Sequence, residues 1–177
     1  MGYLVVGCRV LLGTVFAVAL VGKIWGNGAW RAFVASLGEL VRVPPRLRPF
    51  VGVAIALGEA AVLGLLAVPG AVPAGLGLAA VLLAGFTVGI AAAVRRGVRE
   101  PCRCFGSGSA PLSRAHVVRN GLLTTVAAAG AAAAIGWPGT GEPAGLLVAA
   151  LVGVTVAAVL IRLDDIVALF TPSTRAS

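Results

Sequence analysis

Five long apolar stretches decide what this chain can fold into. They run from Tyr3 to about Gly22, broken only by Arg9, from Phe50 to Val68 with Glu59 inside, and from Val72 to Val94 without a charge. The last two span Val117 to Ile135 and Ala144 to Ile161. Each holds about 18–23 residues, enough at ~1.5 Å per residue to cross a hydrocarbon core of roughly 30 Å. Inside lipid every backbone polar group must be satisfied within the segment, so such stretches become helices. The expected fold is all-α: a polytopic membrane bundle with a four-helix core, a fifth transmembrane helix and an interfacial amphipathic helix.

Composition agrees. The 177 residues are 59% hydrophobic and 11% charged, with a mean hydropathy of +1.05, whereas a soluble domain carries about a quarter charged residues. The apolar mass is Ala, Val, Leu and Gly, small residues that let helices pack closely in lipid. The net charge of +8 would suggest nucleic acid in a soluble protein. Here the basic residues sit between apolar stretches, as cytoplasmic loops do, so lipid and not nucleic acid is the expected surroundings. Val5-Val6-Gly7-Cys8 and Ala17-Val18-Ala19 resemble processing sites, but no basic region precedes them, and the first stretch is expected to be a retained helix.

The connections divide into two kinds. Pro69 to Ala71, and Gly136 to Pro143 with only Glu142, are short and nearly uncharged; Pro and Gly there stop helices and allow tight reversals. The other two are long and basic, one with Lys23, Arg31, Arg42, Arg46 and Arg48, the other with Arg95, Arg96, Arg99, Arg103 and Arg114. Counting Lys and Arg puts both long loops and the 171–177 tail in the cytoplasm, with the N-terminus outside. In the first long loop Trp30, Phe33, Val34, Leu37, Leu40 and Val41 fall at helical spacing, ended by Pro44-Pro45. They predict an amphipathic helix anchored at the interface, or a gate or partner-docking element. Gly22–Gly26 and Gly85–Gly89 have the spacing of close helix contacts, a weak signal in a chain with 25 glycines. No repeat is discernible, and one integral membrane domain accounts for residues 1–177.

The reactive chemistry concentrates at Cys102-Arg103-Cys104, after Pro101 and before Gly106 and Gly108. Thiolate is the reactive form of cysteine, and neighbouring guanidinium groups favour it. A helix starting at Ser113 would add the partial positive charge of its N-terminus, with Ser113 as cap. An i,i+2 disulfide needs the two Cα atoms within about 7 Å, so the backbone must bend, which the glycines allow. A strained pair would be easy to reduce. The alternatives are incidental cysteines and metal ligation with His116, although zinc wants three or four protein ligands and soft thiolates also suit Cu(I). Cys8 reads as an inert core thiol.

An unpaired ion at Glu59 would cost several kcal/mol in the membrane, so Arg9, Lys23 and Arg119 are its candidate partners. Arg9, Phe16 and Lys23 are spaced by seven on one helical face. The structural role is a buried ion pair that sets helix register; the functional one is a polar site for a quinone headgroup or for proton transfer. His116, the sole histidine, is expected at the surface. No hydrolase triad, phosphate loop, metalloprotease helix or dinucleotide fingerprint is found.

The order Val21-Gly22-Lys23-Ile24, Leu57-Gly58-Glu59, Arg95-Arg96-Gly97, Cys102-Arg103-Cys104-Phe105-Gly106 and Arg119-Asn120 resembles the MauE family of methylamine-utilisation membrane proteins, related to the DoxX-like group. The similarity covers roughly residues 1–136, and the fifth stretch looks like an addition. The resemblance implies a multi-pass protein of the bacterial plasma membrane that acts beside a thioredoxin-like redox protein in maturing a disulfide-rich methylamine dehydrogenase. It implies thiol–disulfide work for Cys102 and Cys104, making a thiol–disulfide oxidoreductase conceivable, with Arg103, Phe105 and Gly106 in support. It also implies a polar interior at Lys23, Glu59, Arg119 and Asn120, with a quinone as candidate acceptor. Arg103 departs from the family, which often has a smaller residue there. Metal handling by the same pair and a non-catalytic scaffold are the competing functions. One conflict remains: disulfide formation belongs on the oxidising outer side, whereas the arginines place the cysteine loop in the cytoplasm.

Overall fold

A computed structural model of the chain describes residues 2–98, 114–136 and 141–170. Among these residues there are six α-helices and no strand: α1 Gly2–Ile24, α2 Ala29–Val41, α3 Arg48–Ala67, α4 Val72–Arg95, α5 Arg114–Gly136 and α6 Pro143–Phe170. All but α2 are long and apolar enough to cross a membrane. Pro49 and Pro73 sit in the first turns of α3 and α4, where a missing N–H costs nothing. A single 3-10 turn, Pro69–Ala71, reverses the chain between those helices. Cys102, Arg103, Cys104, Phe105, Gly106 and the proposed cap Ser113 lie outside the described residues.

Close contacts fix the helix directions. Arg9 Nη2 donates to the carbonyl of Ala67 at 3.1 Å, while Lys23 meets Glu59, so α1 and α3 are antiparallel. A Cβ on Gly75 would lie 3.0 Å from Leu66, and one on Gly130 would lie 3.0 Å from Cys8 and 3.3 Å from Leu76. With Leu40, Ile90, Val94 and Val117 clustered elsewhere, α5 runs antiparallel to both α4 and α1. Gly145 packs against Tyr3 and Gly153 against Gly7 and Leu11, so α6 runs parallel to α1. Consequently the C-termini of α1, α4 and α6 and the N-termini of α3 and α5 share one end of the bundle. The connection 99–113 departs from that end.

The shared core is built from α1, α3, α4 and α5, with Leu12, Val15, Phe16, Val62, Leu76, Ala79, Leu83, Leu123 and Ala127 buried at its centre. Its tightest pairing is α4 with α5, where Ala79, Ala93, Ala127 and Ala133 are buried and let the backbones approach. Close approach occurs at Gly52, Gly75, Gly130 and Gly153, whereas Gly26 and Gly85, one member of each expected pair, face open space. Spacing alone cannot tell which face a glycine occupies. Cys8 is buried as a free thiol, as expected.

At Gly153 a Cβ would sit 2.8 Å from the Gly7 carbonyl oxygen and 3.2 Å from Leu11 N, both backbone atoms that cannot rotate away. Gly153→Val should therefore weaken the docking of α6 by about 1–3 kcal/mol. Thermal unfolding in detergent would report it as a lowered Tm. Gly64→Val, at an exposed glycine with nothing within 4 Å, should leave Tm near the wild-type value.

Candidate functional site

A salt bridge lies inside the bundle. Lys23 Nζ donates to Glu59 Oε1 at 2.7 Å and to Oε2 at 3.0 Å, and both side chains are 1% exposed. The third ammonium proton goes to the Ala19 carbonyl at 3.2 Å, using all three donors of a lysine. Lys23 thus leans back along α1, as helical side chains lean toward the N-terminus, and meets the carboxylate one turn above its own Cα. Of the three expected candidates, Lys23 is the partner. Arg9 binds Ala67 O near the far end of α3, and Arg119 Nη1 lies 3.4 Å from the Leu160 carbonyl of α6.

The pair has a roof. The face of Phe33 lies 5.1 Å from Lys23 Nζ, an attractive cation–π arrangement that strengthens when water is absent. Trp30 stacks beside Phe33 at 5.7 Å and a tilt of 53°. Phe33, Leu37 and Leu40 are all buried, and α2 touches α1, α3 and α4. The amphipathic helix expected at 30–41 is therefore present, but its apolar face seals protein instead of resting in lipid. Nothing in its spacing distinguishes those two outcomes.

Helix α5 supplies further polar groups. His116, Arg119, Asn120, Leu123, Ala127, Gly130 and Ala133 form its buried stripe. His116 is only 4% exposed, contrary to the surface position expected, because it lies one turn before Asn120 on that stripe. Arg119 and Asn120, about 100° apart around the helix, flank the stripe on opposite sides. Arg119 joins Val15, Leu123, Leu160 and Ile161 in a shallow crevice between α1, α5 and α6.

Asn120 is fully buried, and neither Oδ1 nor Nδ2 has a hydrogen-bond partner among the described residues. Starting from the Cys8–Gly130 contact, Ala19 lies about 16 Å along α1 and Asn120 about 15 Å back along α5 at ~1.5 Å per residue. Asn120 therefore shares the depth of the ammonium group. The layer offers a saturated cation, a carboxylate with spare lone pairs, and an open amide that can donate and accept. Each of these groups is a polar element that the apolar packing around it does not require. No cluster of three or more metal-ligating side chains occurs among the described residues.

Residues 1–133 match the family described as methylamine utilisation protein MauE, and the chain belongs to that family. No curated protein and no solved structure matches it. The five apolar helices and the family together make it a membrane protein. Removing one member of the buried pair strands the other charge, so Glu59→Leu should cost about 3–5 kcal/mol, whereas Lys23→Met with Glu59→Leu should recover most of it. Chemical denaturation in micelles of the two single variants and the double variant checks this. Asn120→Leu sacrifices no pairing within the described protein, so stability should hold or rise. Loss of function without loss of Tm would then mark the amide as a working group.

Proposed function

We propose that this MauE-family protein supports the maturation of a disulfide-containing partner in methylamine utilisation, by thiol–disulfide exchange at Cys102 and Cys104 together with a thioredoxin-like protein of the bacterial plasma membrane. The observation that supports it most is where the cysteine-bearing connection is rooted. It leaves from α4 and returns to α5, the most extensively packed helix pair, at the end of the bundle that carries the roofed ion pair. Arg96, the residue capping α4, donates from Nη2 to the Leu40 carbonyl at 2.6 Å. A reactive segment with such firmly held ends can meet a partner without unravelling the helices.

The exchange balances within itself. A partner thiolate attacks one sulfur of a Cys102–Cys104 disulfide, forming a mixed disulfide and releasing the other sulfur as a thiolate. The partner's second thiolate then attacks its own sulfur in that mixed bond. The partner leaves oxidised by two electrons, and Cys102 and Cys104 remain as two thiols. The guanidinium groups of Arg99, Arg103 and Arg114 favour the released thiolate. Run backwards, the same steps reduce a partner. The side of the membrane that the segment faces selects the direction.

Acid quenching followed by alkylation should catch Cys102 and Cys104 as a disulfide under oxidising poise, and Cys104→Ser should accumulate a mixed disulfide through Cys102. Either Cys→Ser change should abolish partner maturation, and Cys8→Ala should not. Full maturation with both cysteines replaced would defeat the proposal and leave a scaffold.

A further inference from the structure

We propose that α2 is a lid that closes the Lys23–Glu59 pair against the aqueous phase and, on lifting, admits water and protons to it. A buried ion pair reached by nothing is simply a strut; one roofed by a short separate helix has a route of access. Here the roof is a helix of 13 residues, too short to cross the bilayer. Among the described residues its side chains make the only ring contact with the ammonium group: Phe33 lies over Lys23 Nζ at 5.1 Å and is 2% exposed. α2 lies at the end of the bundle where α1 ends and α3 begins, near exposed Trp25, Leu47 and Phe50.

The ends and fastenings of α2 suit a hinged part. Before it, Gly26 and Gly28 have φ of 117° and 87°, and after it Arg42 has φ of 53°. Each end thus turns through the left-handed region, which glycine enters freely and arginine only at a cost. No side chain crowds Gly26 or Gly28, leaving room to pivot. Two basic side chains fasten the far end. Arg96 Nη2 donates to Leu40 O at 2.6 Å. The Arg48 guanidinium lies against Gly38, where any Cβ would overlap it, and Arg48 Nε donates to Val43 O at 3.0 Å. These are polar fastenings at the edge of a buried apolar face, the kind of contact that opens locally at less than the cost of unfolding. The Arg96 latch also ties the lid to the end of α4.

The geometry of the pair supplies its own probe. A water-soluble carbodiimide that reaches Glu59 activates the carboxylate, and Lys23 at 2.7 Å captures it as an amide with net loss of one water, the carbodiimide leaving as its urea. The full chain in lipid nanodiscs, with Cys8→Ala, Cys102→Ser and Cys104→Ser so that exchange chemistry plays no part, would be treated in parallel with a lipophilic carbodiimide. Mass spectrometry of the Lys23–Glu59 cross-linked peptide gives the ratio of the two rates. Phe33→Ala should raise that ratio by roughly tenfold or more. Val34→Cys with Gly52→Cys pins α2 to α3, because a Cβ at Gly52 would lie 3.2 Å from Val34 Cγ2, close enough for a disulfide. Oxidation of that pair should lower the ratio severalfold, and reduction should restore it. An unchanged ratio in folded Phe33→Ala, or one insensitive to the pin, overturns the lid. Should Phe33→Ala fail to fold, the pinned protein decides alone.

Discussion

The salt bridge between Lys23 and Glu59 is the interaction around which the bundle is arranged. In hydrocarbon neither charge is tolerable alone, and even a paired one is acceptable only when its remaining hydrogen-bonding capacity is met. Here the ammonium is fully committed, to both carboxylate oxygens and to Ala19 O. That demand fixes the axial register of α1 against α3: sliding either helix by one turn would move the carboxylate about 5.4 Å away. Apolar packing alone is far less discriminating, because Leu, Val and Ala faces fit one another in many registers. A hydrophobic pair at these positions could be equally stable, so what the ion pair adds is register or chemistry and not strength.

Around the pair, the bundle is assembled from small residues. Close approaches between helices use Gly52, Gly75, Gly130 and Gly153, each positioned where a methyl group would meet a neighbour at 3.3 Å or less. Without a hydrophobic driving force between helices in lipid, such contacts and their dispersion energy hold the helices together. The consequence is plain at α6. It lies beyond the 1–133 region matched by the family and docks almost wholly on α1, through Gly145, Gly153 and the Tyr3 hydroxyl, which accepts a hydrogen bond from Glu142 N at 3.0 Å. It buttresses the outer face of α1 and leaves the polar layer to the first five helices. Arg119, bonded to Leu160 O, is the point at which that layer's helix reaches the added one.

Much of this was legible in the residues. Five apolar stretches become five spanning helices, Pro69-Gly70 becomes the reversal, and the need for a partner at Glu59 is met by one of its three candidates. Which candidate could not be read, since the heptad spacing of Arg9 and Lys23 says they share a face but not where α3 will sit along it. His116 was misjudged for a related reason: the burial of α5 is set by a stripe that small alanines share with polar residues, so hydropathy shows almost no amphipathic signal there. The glycine pairs failed because a helix rich in small residues has many faces that could pack. Lastly, the role of α2 depends on a groove formed by three other helices, and no local pattern encodes that.

Topology brings the ion pair and the helix ends that flank both basic connections to one end of the molecule. Because α1, α4 and α6 run one way and α3 and α5 the other, α2, Arg42, Arg46, Arg48, Arg95, Arg96 and Arg114 are all collected there. The helix that covers the ion pair is tied to the end of α4 by the Arg96–Leu40 O hydrogen bond and by the packing of Leu40 on Ile90 and Val94. The buried ion pair of the described bundle sits beneath the same helix, under Phe33. A single short helix, fastened by Arg96 and carrying Phe33, thus lies between the end of α4 and the charge in the core.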